Sequence, residues 1–415
     1  MMNRTLVFFT ASFPYGKGET FIESEILFLS KKFAKVIILT NGHGDKTRPI
    51  PSNVLVRHIP YNLSLKDKLY SFSGLLSSIF WRELFLIKKH YNLKITKRII
   101  STALFSLFKA KKISLLLDSI LKENNSDVLQ TVFYAYWSND MAVGLAYYRS
   151  KKSNVRCVCR AHRWDLYFDQ SSIGYLPFRK FLYDNMSQIF FISEHGIKYF
   201  IETHNVDQRK LKLATLGTTN LTGRTQSQGQ SSQIIISCSS LTEVKRVGLI
   251  IESLSLVSLG QPISWIHFGT GHLLDQMKEL ANNLLGDRKN ISFDFFGFIP
   301  NKELVEYYQK HHVDLFINLS SSEGLPVSIM EAMSAGIPII ATNVGGVGEI
   351  VEHDMNGLLL NSDPSPDQVV KALEKLLGLG FELKEQMRER AYQTWNDKYN
   401  ASKNYESFTE DLLAL

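Results

Sequence analysis

Residues 320–351 read SSSEGLPVSIMEAMSAGIPIIATNVGGVGEIV, and this stretch decides how the rest of the chain is read. Two acids, Glu323 and Glu331, stand eight positions apart around a Gly-Leu-Pro turn, and a glycine pair follows at 345–346. The preceding DLFINLSSS ends a strand, and Pro326 suits the first turn of a helix carrying VSIMEAMSAG, because a proline there gives up no helical hydrogen bond. The N–H groups around Gly324, Leu325, Pro326 and Val327 then point outward with the positive end of the helix dipole, which makes a seat for a phosphate. A carboxylate does not bind phosphate, but it accepts hydrogen bonds from vicinal hydroxyls. An acid on each side of an anion seat suits a molecule with sugar, diphosphate and ribose in series. Taken alone, the pattern also fits helix capping by Glu323 and a plain surface position for Glu331.

Outward from this stretch, apolar strand-like runs alternate with helical ones, the pattern of parallel sheets built from strand-helix-strand units. TLVFFTAS, KVIILT, VLVRHI, TVFYAY, RCVCR, QIFFIS and KLATL fall in the first half; IIISCS, SWIHFG, ISFDFFG, DLFINL, PIIAT and GLLL fall in the second. A polar Gly/Ser/Gln-rich stretch between them cannot bury a core and reads as a linker. With 415 residues, more than one core usually holds, the chain is expected to form two doubly wound α/β domains. The expected divisions are 1–219, a linker at 220–232, 233–395, and a C-terminal helix at 396–415 that packs back on the first domain. In open sheets of this kind ligands sit beyond the carboxyl ends of the strands, so a cleft between the domains is the expected site. No apolar run reaches the roughly 18 residues of a membrane span, and TLVFFTAS reads as a buried strand, not a signal peptide. Cys157, Cys159 and Cys238 have neither disulfide-framework nor zinc spacing and read as reduced structural thiols of a cytoplasmic protein.

The net charge of +7 is uneven. Residues 61–125 hold twelve Lys or Arg against four Asp or Glu, a net of +8, so this basic segment carries the whole excess. Its apolar residues recur at helical spacing between the bases, which predicts amphipathic helices. Two readings stay open: core helices with solvated basic faces, or a surface that rests on anionic lipid or holds an acidic, lipid-linked acceptor. No recognition motif accompanies the charge, so nucleic acid is not an expected partner.

EGLPVSIME resembles the E-x7-E signature of glycosyltransferase family 4, whose members are retaining enzymes of the GT-B fold. FPYGKGETFIESEI resembles that family's glycine-bearing first loop, RAHRWDLY its acceptor-side histidine segment, and FISEHGIKYF the strand and helix after it. CSSLTEVKRVGLIIESL and FGTGHLLDQM resemble the first units of its nucleotide-binding domain, and GFIPNKELVEYY and GGVGEIV the flanks of the signature.

By this resemblance Glu331 binds the ribose hydroxyls of a sugar nucleotide. Glu323 holds hydroxyls of the donor hexose, with Gly324, Leu325, Pro326 and Val327 around sugar and phosphates. Lys245 neutralises the diphosphate with Arg246 beside it, and His162 lies near donor sugar and acceptor. Gly16 and Gly18 let the first loop approach the diphosphate, and Gly297 and Phe298 mark where the nucleobase is read. WRELF and YAYWSNDM read first as packing segments, and Trp137, Asp140 and Asp165 are the alternative candidates for the acceptor cleft. One departure stands out: many family members carry arginine in a Gly-Arg-Leu block where this chain has Ser240.

Breaking a sugar–phosphate bond builds negative charge on the departing diphosphate, which a preorganised cation and a helix N-terminus stabilise. The chain has no Asp-x-Asp, so the basic groups are expected to do this work without an essential metal or other cofactor. Retention, as the resemblance implies it, proceeds by front-face attack, with the leaving phosphate taking the acceptor's proton. The expected activity is transfer of a hexose from a nucleotide-diphosphate sugar to a saccharide or lipid-linked saccharide in exopolysaccharide, capsule or lipopolysaccharide assembly, at the inner face of the cytoplasmic membrane. Another GT-B enzyme, such as an epimerase or hydrolase, and a silent membrane-associated scaffold are the alternatives; intact Lys245, Glu323 and Glu331 argue against the scaffold.

Overall fold

A computed structural model describes residues 4–16, 18–44, 48–59, 64–220 and 232–415. The linker expected at 220–232 lies outside the described residues apart from its two ends. The chain divides into two compact units, Met1–Thr215 with Tyr405–Leu415, and Leu216–Asn404.

The first unit holds strands β1 (Thr5–Thr10), β2 (Lys35–Thr40), β3 (Val54–His58), β4 (Thr131–Ala135), β5 (Arg156–Ala161), β6 (Gln188–Phe191) and β7 (Leu211–Leu213). Its helices are α1 (Ile22–Lys32), α2 (Leu65–Tyr70), α3 (Ser78–Lys89), α4 (Lys97–Glu123), α5 (Asp140–Lys151), α6 (Arg179–Asn185) and α7 (Glu194–His204). The strands pair in parallel in the order β3-β2-β1-β4-β5-β6-β7. Central strands such as TLVFFT and TVFYA are buried along nearly their whole length, because helices cover both faces of the sheet.

The second unit repeats the scheme with β8 (Gln233–Cys238), β9 (Ile263–Phe268), β10 (Ile291–Gly297), β11 (Leu315–Asn318), β12 (Ile339–Thr342) and β13 (Gly357–Leu360). Its helices are α8 (Val247–Leu256), α9 (Leu274–Leu285), α10 (Asn301–Lys310), α11 (Val327–Ser334), α12 (Val347–Ile350), α13 (Pro366–Leu377) and α14 (Phe381–Lys398). The strand order is β10-β9-β8-β11-β12-β13, again parallel. The edge strand ISFDFFG alternates in burial along its whole length, as a strand with one face less covered than the other does.

The break expected after residue 395 falls inside α14, where Trp395 is buried and donates to Thr218 Oγ1. A last helix, α15 (Ala401–Leu413), starts in the second unit and ends in the first. There Phe408 lies 3.9 Å over the guanidinium of Arg160, which meets Glu25 at 2.7 Å in a fully buried ion pair. Tyr134 Oη donates to the same carboxylate at 3.1 Å. Two charges at that depth persist because each is paired and hydrogen-bonded. No helix among the described residues is long and apolar enough to cross a membrane.

Candidate active site

In each sheet the order reverses between two central strands, β1 and β4 in the first unit, β8 and β11 in the second. Loops that leave such a pair in opposite directions open a crevice at the strands' carboxyl ends. The loop after β8 carries Lys245, in a short 3-10 turn, and the loop after β11 carries Glu323. They meet there: Lys245 Nζ donates to Glu323 Oε1 at 2.6 Å, with side chains 22% and 8% exposed. Asn318, the last residue of β11, points Nδ2 at the same oxygen at 3.4 Å and accepts from Ser320 N through Oδ1. The glycine pair of the opening stretch now has a reason. A Cβ on Gly345 would lie 2.0 Å from Glu323 O, and Gly346 N donates to Gly324 O at 2.8 Å. The pair lets a second loop press against the backbone that presents Glu323.

Pro326 caps α11 from outside, one residue earlier than the first-turn position expected, with extended ψ of 112°. Its missing N–H is harmless in either place. Glu331 lies inside α11 and is 4% exposed, which overturns the plain surface reading. Burial pushes its carboxyl up to about 7, against the opposing effect of a hydrogen bond from Asn301 Nδ2 at the start of α10. A carboxylate kept so dry is costly, and such groups concentrate where they have work to do.

In the first unit, sequence reasoning missed Glu19, which follows the two loop glycines. Its Oε2 accepts from Ser12 N and Phe13 N, both at 2.7 Å, and its Oε1 from Ala11 N at 2.9 Å and Trp137 Nε1 at 2.6 Å. Glu19 thereby joins the loop after β1 to the loop after β4, from a left-handed backbone with φ 55°. The acid in GKGET was the available signal. Arg48 closes the other side by donating to the carbonyls of Gly16, Gly18 and Glu19. Gly16 adopts φ 67°, which favours glycine, and a Cβ on Gly18 would stand 3.4 Å from Ser12 Oγ. Glu19→Gln puts an amide N–H against a backbone or indole N–H. It should cost about 2 kcal/mol, read as a lower denaturation midpoint at unchanged slope.

His162 follows β5, stacks on Tyr136 at 4.7 Å and meets Trp137 at a tilt, ring centroids 4.5 Å apart. Neither of its buried ring nitrogens has a hydrogen-bond partner among the described residues. Trp137 lies in the same aromatic cluster. The two acids expected beside it have other work. Asp165 is fully buried and accepts from Ser138 N at 2.6 Å and His162 N at 2.8 Å, so it fixes the histidine's backbone. Asp140, at the start of α5, accepts from Ser106 Oγ and Lys109 Nζ and ties α4 to α5. The carboxylates of both are thus engaged within the fold.

Arg246 is likewise engaged within the fold. Its guanidinium donates to the carbonyls of Leu319, Ser320 and Ser362 and pairs with Asp363 at 2.9 Å. It clasps the loops after β8, β11 and β13. Leu325 is buried and Val327 opens α11. Gly297 ends β10 with the exposed Phe298 after it, and Ser240 is exposed in the loop after β8.

Residues 224–394 match the family model of the glycosyl transferases group 1. The amylovoran biosynthesis glycosyltransferase AmsK of Erwinia amylovora is 30% identical over 149 residues, 34% of this chain and 34% of that one. The O-antigen biosynthesis glycosyltransferase WbnH of Escherichia coli is 27% identical over 289 residues, 69% of this chain and 74% of that one. The chain thus spans about a third of the first relative's length and about three quarters of the second's. Among solved structures, a glycosyltransferase from Rickettsia africae aligns with TM-score 0.68 at 16% identity, covering 99% of both chains. Anabaena HepE, solved with UDP and glucose, aligns with TM-score 0.67 at 15% identity, covering 99% of this chain and 100% of that one. Residues 224–394 thus resemble the glycosyl transferases group 1, and the chain shares the GT-B fold of the solved glycosyltransferases.

Proposed function

We propose that the chain is a retaining enzyme of glycosyltransferase family 4. It moves a hexose from a nucleoside-diphosphate sugar to a saccharide or lipid-linked saccharide during bacterial surface-polysaccharide assembly. The observation that carries this reading is the Lys245–Glu323 contact at the mouth of α11, with the buried Glu331 farther along the same helix. In the resting site the ammonium and carboxylate neutralise each other. On donor binding, hexose hydroxyls donate to Glu323, and Lys245 turns to the diphosphate, where negative charge grows as the glycosidic bond breaks. The first N–H groups of α11 add to this stabilisation. Glu331 accepts from the ribose hydroxyls, and the segment at Gly297 and Phe298 reads the base. The leaving phosphate takes the acceptor's proton, so His162 orients the reacting groups and need not act as a base.

The relatives' names support the pathway, since they act in amylovoran and O-antigen synthesis, and HepE was solved with UDP and glucose. We further propose that no metal is essential, because the basic groups serve the diphosphate. The test is a thermal-shift screen of nucleotide sugars, then hydrolysis of the best binder with and without EDTA. Release of nucleoside diphosphate, unchanged by EDTA and with the α-anomer retained from an α-linked donor, is the expected result. If no nucleotide sugar raises the unfolding midpoint and none is turned over, the reading fails.

A further inference from the structure

Helices α2 and α3, with the 3-10 turn Ser71–Leu76 between them, leave large apolar side chains in water. Three residues per 3-10 turn put positions i and i+3 on one line. Ser71 and Gly74 form the inner line, and a Cβ on Gly74 would stand only 2.8 Å from Leu104 of α4. Phe72 and Leu75 therefore form an outer line, with Leu76 beside them at 91% exposure. In α3 the inward positions are Phe80, Glu83 and Ile87. Glu83 is held by donors from Tyr175 Oη and Phe178 N, so the helix cannot roll. Trp81 and Phe85 are thereby kept outside, on successive turns, and Trp81 Nε1 donates to Leu75 O at 2.7 Å, joining the two exposed sets.

This is not the distribution of an amphipathic helix packed on a core, in which the outer face is polar. Single exposed apolar residues are ordinary, but a contiguous group marks a contact surface. Its charge indicates the partner. Arg82, Lys88 and Lys89 are exposed on α3 and Lys66 on α2, within the segment whose net charge is +8. Protruding aliphatic tips, a tryptophan and exposed bases on the same two helices suit a lipid headgroup layer, which yields around each side chain as a rigid protein face does not.

We infer that α2, the 3-10 turn and α3 dock this chain onto an anionic lipid surface. Phe72, Leu75, Leu76, Trp81 and Phe85 enter the acyl boundary while the bases meet the headgroups. The inference does not depend on the transfer reaction, and a soluble-donor hydrolysis assay reads that reaction separately. The test is flotation of the full chain with vesicles of equimolar phosphatidylglycerol and phosphatidylcholine, against phosphatidylcholine alone. Recovery should be high on the first and low on the second. The pair Phe72→Asp and Leu76→Asp should lower binding to the anionic vesicles about tenfold or more, as should Lys88→Glu with Lys89→Glu. Donor hydrolysis and thermal midpoint should stay unchanged in both variants. Equal recovery on the two vesicles, or variants that float like the parent chain, would overturn the inference. So would a dimer that Leu76→Asp dissociates in a chain that binds no vesicle, since the patch would then join two copies.

Discussion

Lys245→Ala should lower turnover of a saturating sugar nucleotide about a hundredfold, on the order of 3 kcal/mol of lost transition-state stabilisation. The charge it answers grows as the diphosphate leaves, so kcat should fall more than KM rises. A second effect must be separated from the first. Glu323 is 8% exposed and loses its ammonium in this variant, so the chain should also unfold more easily. A double-mutant cycle with Glu323→Gln divides the two. If the lysine served only to hold Glu323, removing it from a Glu323→Gln chain would change turnover no further. If it serves the diphosphate, the loss persists in that background, and Lys245→Arg recovers part of it. Full turnover by Lys245→Ala would remove the lysine from the chemistry.

What could be read from the chain follows from how local each cause is. Strands such as KVIILT and PIIAT were legible because a sheet covered on both faces demands unbroken apolar runs. The contact of Lys245 with Glu323 spans 78 positions, and only resemblance put the two in one site; in the fold, strand order brings their loops together. Other residues were hard to read for one shared reason. Arg246, Asp140 and Asp165 are polar residues near motifs, and sequence cannot show whether a charge faces a ligand or a carbonyl of its own fold. Arg246 finds three carbonyls contributed by distant loops. Glu19 was missed because three of its donors, Ala11, Ser12 and Phe13 N–H, are backbone groups that carry no residue signature. The helical spacing within 61–125 corresponds to α2, α3 and α4, but periodicity does not say which apolar residues stay outside. That depended on Glu83 and Gly74 fixing how two elements seat.

Glu331→Gln should make the chain more stable and its donor affinity worse, each in a pH-dependent way. Burial raises the folded-state carboxyl from an ordinary 4.5 to about 7. Below pH 4.5 the group is protonated whether folded or not and contributes no difference. Between 4.5 and 7 the unfolded chain loses the proton while the folded chain keeps it, so folding is penalised more with each step upward in pH. Above 7 the penalty levels off, at about 1.4 kcal/mol for each pH unit between the two values, or roughly 3 kcal/mol. The amide of Glu331→Gln does not titrate and can still accept from Asn301, so its gain in stability should be near zero at pH 4 and up to about 3 kcal/mol at pH 8. Donor binding should move the other way. The carboxylate is the better acceptor for ribose hydroxyls, so affinity in the parent chain should rise as pH passes upward through about 7. At pH 8 the variant should bind donor roughly ten- to a hundredfold more weakly, the worth of a charge-assisted hydrogen bond or two. Urea midpoints and nucleotide-sugar titrations at pH 4, 6 and 8 distinguish the outcomes. A stability gain with unchanged affinity would mean that Glu331 is buried near the donor without touching it. A variant no more stable at pH 8 than its parent would mean that the carboxylate reaches water or a cation when the chain is free.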